Sequence, residues 1–254
     1  GKTRDLFLAL YIPDLFMKRI LSDEMWSLMC PDECPGLCDA YGDEFEKLYE
    51  SYEERKMFRR QVKAREVWRL MMESQIETGV PYIAFKDAVN RKSNQKHYGT
   101  IKGLNLCCEI CEYSDEKEVA VCNLASISLP KFIITSNNSK RFDYQKLHDI
   151  TRIITRNLDR IIDVNFYPVV EAKVSNLKHR PIGIGVQGLA DVFASMGCSF
   201  GDAESRDINK KIFETIYHAA LEESIEIAKI SGPYPTFEGS PYSKGILQFD
   251  MWNE

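Results

Sequence analysis

The stretch Pro181-Ile182-Gly183-Ile184-Gly185-Val186, followed by residues 187–196, decides the fold class. Its first part is a short apolar run of the length of a buried strand, and its second part has the pattern of a helix. Strands spaced by helices recur along the chain, which predicts an α/β architecture in one domain, with no separate second domain. The predicted strands are 6–11, 81–85 and 181–186, and the predicted helices are one opened by Pro13-Asp14 and those at 43–55, 62–78, 143–163, 187–196 and 202–231.

Residues 143–163 give the clearest helical pattern. Their apolar side chains are predicted to form one stripe that packs on a neighbouring element; they are Leu147, Ile150, Ile154, Leu158 and Ile161. Between the regular elements we expect an irregular loop at 30–42, a polar, turn-rich segment at 91–100, extended backbone or a loop at 104–113, and an apolar stretch at 119–129.

Composition excludes several functional classes. The 254 residues carry a formal net charge of −5, so a basic nucleic-acid-binding surface is not expected. The longest early apolar run, 6–12, is far shorter than the roughly 20 residues that span a bilayer, and no secretion signal follows Gly1. Eight cysteines are too few for a disulfide scaffold and indicate free thiols in a reducing compartment, so we expect a cytoplasmic location. Because the sequence does not begin with Met, we expect a piece of a longer chain.

Two motifs have an ordinary structural explanation beside a functional one. Gly183, Gly185 and Gly188 fit the dinucleotide spacing G-x-G-x-x-G, but the acidic residue expected about twenty positions later would be Asp207, inside a predicted helix. Tight packing between a strand and a helix is the favoured explanation. A second motif, Cys30, Cys34 and Cys38, offers three thiolates to Zn²⁺ without an obvious fourth ligand, which favours ordinary loop thiols.

A third cluster has residues suited to catalysis. If the backbone is extended, Asn105, Cys107 and Glu109 share one side of it, while residues 106, 108 and 110 form an apolar back face. A carboxylate can accept a proton, an amide can hold a hydroxyl, and a thiol can act as nucleophile, ligand or radical carrier. On the pattern alone, a half-buried strand with incidental polar residues is the favoured explanation. A metal site is the competing hypothesis, with ligands Cys107, Cys108, Cys111 and Cys122.

This cluster resembles the large, catalytic subunit of class I ribonucleotide reductase of the eukaryotic type. Residues 104–110, LNLCCEI, and 120–126, AVCNLAS, are similar to that family's finger loop, and the match is specific. Further similar stretches are residues 5–19, 26–31, 180–191 and 239–248, and the likeness extends over essentially the whole chain. The resemblance displaces the dinucleotide hypothesis and leaves a cysteine-rich metal-binding interaction module as the alternative.

The resemblance implies a central part of a ten-stranded α/β barrel that reduces ribonucleoside diphosphates to deoxyribonucleotides, the precursors of DNA. It implies that Cys107 carries the transient thiyl radical, that Glu109 takes the proton of the ribose 3′ hydroxyl, and that Asn105 holds a substrate hydroxyl. Cys122 would be one of two thiols that end as a disulfide. Implied partners are a radical-supplying small subunit with a metal-tyrosyl centre, a second large subunit, and thioredoxin or glutaredoxin as reductant. No metal ligand is implied in this segment, and no Mg²⁺ ligand for the nucleotides is identifiable.

Other parts of the family's pattern have no match here. The resemblance implies a partner thiol for Cys122 upstream of residue 1, and since no cysteine precedes Cys30, the redox pair is incomplete in this sequence. The family's ATP and deoxynucleotide effector sites and its phosphate-gripping loop also have no counterpart. Cys108 stands where a hydroxyl residue is expected and is interpreted as apolar filler that faces away from Cys107, and Cys38 is an unexplained addition. We therefore predict that the 254-residue chain alone is inactive and poorly stable.

Overall fold

A computed structural model describes residues 6–137 and 139–252, which divide into two compact units. The first unit comprises residues 1–117 and 238–254, and the second comprises 118–237. Asp5, the first residue of the stretches that carry the family resemblance, lies outside the described residues. No helix in the described residues is long and apolar enough to cross a membrane.

The first unit alternates short strands with helices. Its elements are β1 (Ala9–Ile12), α1 (Asp14–Ser22), β2 (Met25–Leu28), α2 (Gly42–Glu54), β3 (Arg60–Lys63), α3 (Ala64–Thr78), β4 (Tyr82–Phe85) and α4 (Lys86–Arg91). Strands β1 and β4 pair in parallel, with Ala9 opposite Tyr82, and β2 and β3 form an antiparallel pair. Aromatic and aliphatic residues from α1, α2 and α3 form two small cores. The loop at 30–42 and helices α1, α2 and α3 agree with the sequence predictions, whereas α4 was not predicted.

The second unit repeats the arrangement of a parallel pair with helices. Its elements are β5 (Leu124–Ser128), β6 (Ile133–Ser136), β7 (Ser139–Phe142), α5 (Tyr144–Val164), α6 (Val170–His179), β8 (Gly183–Gln187), α7 (Leu189–Met196) and α8 (Ala203–Ser231). Strands β5 and β8 are parallel, with Leu124 opposite Gly183, and β6 and β7 are antiparallel. Its core lies among α5, α7, α8 and the strands. The α/β class predicted from the sequence is confirmed.

Local sequence explains where the long elements begin and end. The Asp143 side chain caps α5 by accepting a 3.0 Å hydrogen bond from the backbone N–H of Lys146. Gly79 ends α3 in the left-handed conformation, with φ of 77°, and its N–H donates to the carbonyl of Gln75. Both boundaries lie within two residues of those predicted.

Two sequence predictions about burial were wrong. The strand predicted at 6–11 begins only at Ala9, and its apolar side chains at Leu6, Phe7 and Leu8 are exposed, because β4 is the one strand it pairs with in the described residues. The buried stripe of α5 is rotated from the predicted one, and Ile161 is 43% exposed. Thr151 and Thr155 are buried instead, and each hydroxyl donates to the carbonyl four residues earlier, which satisfies it inside the core.

Four short strands and the helices α4 and α6 had no sequence prediction. Strands β2, β3, β6 and β7 have four residues each, too few for a reliable alternation pattern. The buried face of α6 is mostly polar and carries Ala172, Ser175, Asn176 and His179. A helix of this kind gives no apolar stripe by which it could be recognised.

Candidate functional site

The loop that carries Asn105, Cys107 and Glu109 belongs to the first unit, and hydrogen bonds anchor its first residues. The buried Asn90 of α4 accepts a 2.7 Å hydrogen bond from the Ile101 N–H and donates to the Ile101 carbonyl at 3.1 Å. The Tyr11 hydroxyl of β1 donates to the same carbonyl at 3.0 Å. These bonds tie the start of the loop to the β1–β4 pair.

The far end of the loop is fastened in a similar way. The Tyr113 N–H donates to the Gln95 side-chain oxygen at 2.7 Å. The Tyr113 ring lies so close to Gly99 that a Cβ there would overlap it, so the absence of a side chain at Gly99 permits the contact. The loop between Ile101 and Tyr113 is therefore held at both ends by side chains of the same unit.

Within the loop the backbone turns, so of the two alternatives predicted for 104–113, extended backbone and a loop, the structure has the loop. Cys108 adopts φ of 66°, and its N–H donates to the Asn105 carbonyl at 3.1 Å. The Ile110 N–H donates to the Asn105 side-chain oxygen at 3.0 Å. Because a left-handed residue reverses the chain, strand alternation cannot place 105, 107 and 109 on one side. The predicted apolar back face is also absent at Leu106, which is 63% exposed.

The thiols of this loop differ in their exposure to solvent. Cys107, at the turn, is exposed, as is Glu109, whereas Cys108 is half-buried. Burial, together with the neighbouring Cys107 and Glu109, raises the pKa of the Cys108 thiol. Partial burial of the thiol likewise raises the pKa of Cys111, and the neighbouring Cys108 raises this pKa further. Both thiols therefore favour the neutral S–H form.

Glu112 is a feature of this loop that sequence reasoning missed. Burial raises its pKa to about 7, well above the ordinary 4.5 of a glutamate. The sequence gives only a weak indication of this burial, namely that Glu112 stands among Ile110, Cys111 and Tyr113. A half-neutral carboxyl at physiological pH can both donate and accept a proton.

Cys122 belongs to the second unit, where it is exposed and immediately precedes a buried amide pair. The Asn123 side chain donates to Asn176 at 2.7 Å and to the Pro181 carbonyl at 2.8 Å, and it accepts from Asn176 at 3.3 Å. The Asn123 carbonyl accepts from the Gly183 N–H at 2.9 Å. This network fixes the backbone at the start of β5, directly beside the Cys122 thiol.

The cysteine sets proposed as metal sites are not assembled within the first unit. All eight cysteines, each a described residue, are thiols rather than disulfides. The buried Cys34 donates its S–H to the Met57 carbonyl at 3.1 Å, while Cys38 is exposed. Among the described residues, the one group of three possible metal ligands with mutually close donor atoms contains no cysteine; it consists of His148, His218 and Glu222.

The glycine motif at 183–188 serves packing, as predicted. A Cβ at Gly183 would lie 2.6 Å from the Leu124 side chain, and Gly188 adopts φ of 79° with its Cβ position 2.6 Å from Pro130. Asp207, the acidic residue that the dinucleotide motif would require, lies on α8 and forms an ion pair with Lys211 at 2.6 Å. Gly183 and Gly188 therefore allow β8 and α7 to approach β5 and the turn that follows it, whereas a Cβ at Gly185 would make only an ordinary contact, 3.7 Å from the Ala125 carbonyl oxygen.

Comparison with known proteins identifies the family of the chain. A family model described as "Ribonucleotide reductase, barrel domain" matches residues 1–254. The chain is 62% identical over 251 residues to the ribonucleoside-diphosphate reductase large subunit of Caenorhabditis elegans, covering 99% of this chain and 32% of the relative. It is 59% identical over 252 residues to the large subunit of Variola virus and 58% identical over 252 residues to that of Plasmodium falciparum (isolate Dd2), covering 99% of this chain and 32% and 31% of those proteins. The chain thus spans about a third of the length of these curated relatives.

A match of the family model over the whole chain agrees with the resemblance carried by residues 104–110 and 120–126. The chain belongs to the ribonucleotide reductase barrel-domain family.

Proposed function

We propose that this chain is the part of a class I ribonucleotide reductase large subunit that holds the reacting ribose of a ribonucleoside diphosphate. The observation that carries the proposal is the match of the barrel-domain model to residues 1–254, together with large-subunit relatives at 58–62% identity. The products are 2′-deoxyribonucleoside diphosphates. The partners are the small subunit that supplies the radical, a second large subunit, and a dithiol protein of the thioredoxin or glutaredoxin class.

Cys107 is the proposed radical thiol. It is exposed in a turn that Asn105 holds through two hydrogen bonds, so its sulfur can reach a substrate without rearrangement of the loop ends. As a thiyl radical it takes the 3′ hydrogen atom of the ribose and becomes a thiol, and after reduction at the 2′ carbon it returns that hydrogen atom. Transfer of a hydrogen atom creates no charge, which suits a site closed to water.

Glu109 and Asn105 are the proposed polar partners of the ribose. The exposed Glu109 carboxylate accepts the 3′ hydroxyl proton as a general base. The Asn105 side-chain oxygen is bonded to the Ile110 N–H, which leaves its amide nitrogen to donate to a substrate hydroxyl. The same residue thus shapes the turn and presents a donor.

Cys122 is the proposed donor of one of the two electrons consumed per turnover. The substrate loses its 2′ hydroxyl as water, and Cys122 with a second thiol outside this chain is oxidised to a disulfide. The external dithiol then reduces that disulfide. The exposed position of Cys122 at the anchored start of β5 supports this role.

The test uses the full-length protein that contains this sequence, its small subunit, a dithiol and CDP. We expect Cys107→Ser to abolish dCDP formation, because the serine O–H bond is too strong to replace the thiol as a hydrogen-atom donor. The matched control is Cys38→Ser, an exposed thiol outside the loop, which should retain wild-type turnover. Retained activity in Cys107→Ser would contradict the loop assignment and return the cysteine-rich metal module as the better hypothesis.

A further inference from the structure

Two histidines and a glutamate of the second unit converge at its surface. His218 and Glu222 stand four residues apart on α8, so they share one face of that helix. His148 projects from α5, which packs against α8, and its ring centre lies 5.6 Å from that of His218. One donor atom from each of the three residues lies within 4.8 Å of the other two.

The contact between His148 and Glu222 has the geometry of two ligands that share an ion. The His148 Nε2 lies 2.9 Å from the Glu222 Oε2, yet this buried oxygen makes no hydrogen bond. Two ligand atoms that each lie about 2.1 Å from the same metal ion are roughly 3 Å apart, and the lone pair of each points at the ion and not at the other ligand. A hydrogen bond would instead align the oxygen with the ring N–H.

The surrounding charges leave Glu222 able to bind a cation. Arg152 approaches the Glu222 Oε1 only to 3.8 Å, because its Nε donates to the buried Glu223 at 2.9 Å. The Glu223 carboxylate also accepts a hydrogen bond from the Arg156 Nε at 2.7 Å. This one buried carboxylate therefore balances part of the positive charge of Arg152 and Arg156. The candidate ligand atom of His148 is Nε2. The other ring nitrogen, Nδ1, lies 3.7 Å from an Asp149 carboxylate oxygen, which adds negative charge on that side of the ring.

The two histidine side chains are accessible from a surface groove. His148 and His218 line a surface groove between α5 and α8, and His218 is exposed. An ion in this position would leave at least one coordination site for water. Two imidazole nitrogens with one carboxylate oxygen suit zinc-type ions and not Mg²⁺ or Ca²⁺, which prefer oxygen ligands.

We infer that His148, His218 and Glu222 form a site for a divalent transition cation of the Zn²⁺ type, which cross-links α5 and α8. The site is independent of the proposed reductase chemistry, because none of its ligands is assigned a role in that chemistry. Since the ion would bind the folded pair of helices and not the separated ones, occupancy stabilises the second unit.

The test is a Zn²⁺ titration of the full-length protein against a chromophoric chelator, under reducing conditions. Thiols bind Zn²⁺ as well, so the informative quantity is the difference between variants. His218→Ala should lose one equivalent of binding, or bind it at least about 10- to 100-fold more weakly, since even outer-shell changes have effects of that size. Because His218 is exposed, this variant should fold normally.

Two further variants complete the test. His97→Ala removes an exposed histidine of the first unit and should keep the full stoichiometry. Glu222→Gln keeps the shape of the side chain and should weaken binding as His218→Ala does. The Co²⁺ difference spectrum between wild type and His218→Ala should contain ligand-field bands without a thiolate charge-transfer band.

The inference is overturned if wild type and His218→Ala bind the same number of Zn²⁺ ions with the same affinity. A thiolate band in the Co²⁺ difference spectrum would also overturn it, since it would assign the lost site to cysteine. Neither result would bear on dCDP formation, so failure here is separate from failure of the proposed function.

Discussion

Removal of the Asn90 side chain should release the loop that carries Cys107. Asn90 is 1% exposed, and its side chain accepts from the Ile101 N–H at 2.7 Å. It also donates to the carbonyls of Ile101 at 3.1 Å and Lys86 at 3.0 Å and to the Tyr11 hydroxyl at 3.2 Å. The change Asn90→Ala removes all four bonds at once.

The effect on Ile101 can be worked out bond by bond. Its carbonyl keeps the 3.0 Å bond from the Tyr11 hydroxyl, but its buried N–H loses its acceptor. An unsatisfied buried donor costs about 1–3 kcal/mol. Local opening of the loop base therefore becomes about 5- to 150-fold more frequent, since about 1.4 kcal/mol corresponds to a factor of ten.

Hydrogen–deuterium exchange with mass spectrometry on the full-length protein measures this opening. Peptides that cover residues 96–113 should exchange faster in Asn90→Ala by a factor in that range. The control is Asn157→Ala, an exposed asparagine on α5, which should leave these peptides unchanged. If exchange over 96–113 is the same in wild type and Asn90→Ala, Asn90 does not hold the loop, and the reasoning from its hydrogen bonds is refuted.

Two other predictions test the loop carboxyl and the glycine motif. Burial raises the pKa of Glu112 to about 7 from an ordinary 4.5, so the folded state disfavours its charged form, and this penalty on stability appears as pH rises from about 4.5 to about 7. Glu112→Gln should therefore raise the melting temperature relative to wild type at pH 8 and have little effect at pH 4, whereas the exposed control Glu116→Gln should change neither; an equal gain at both pH values would contradict the assigned burial. Gly188 and Gly197 both adopt positive φ, of 79° and 81°, but only a Cβ at Gly188 meets Pro130, so Gly188→Ala should destabilise the protein by about 1–3 kcal/mol more than Gly197→Ala. Urea unfolding of the two variants measures the difference, and equal midpoints would show that β8 and α7 can move apart without cost.

Much of the fold follows from local sequence. Apolar spacing and end signals located α1, α2, α3, α5, α7 and α8, because a helix end depends on a cap such as Asp143 or a glycine such as Gly79. The α/β class and the packing function of the glycine motif followed in the same way. The family followed from residues 104–110 and 120–126, whose side-chain types are specific enough to be recognised without coordinates.

Burial was harder to predict from sequence. Helical spacing alone assigned Ile161 to the core of α5, yet the helix turns Thr151 and Thr155 inward, since their hydroxyls satisfy backbone carbonyls and cost little to bury. Whether a residue is buried depends on the surface packed against it, and the sequence of one helix does not contain that surface.

The chain's sequence by itself therefore determined the helices, the α/β class, the family and the identities of Asn105, Cys107, Glu109 and Cys122 as residues of interest. Only the tertiary structure decided how they are presented. A positive φ at Cys108 decides between the two predicted alternatives, extended backbone and a loop, and the burial of Glu112 changes its charge at neutral pH. His148, His218 and Glu222 come together for the same reason: contacts between residues distant in sequence arise from the packing of whole elements, which local periodicity cannot specify.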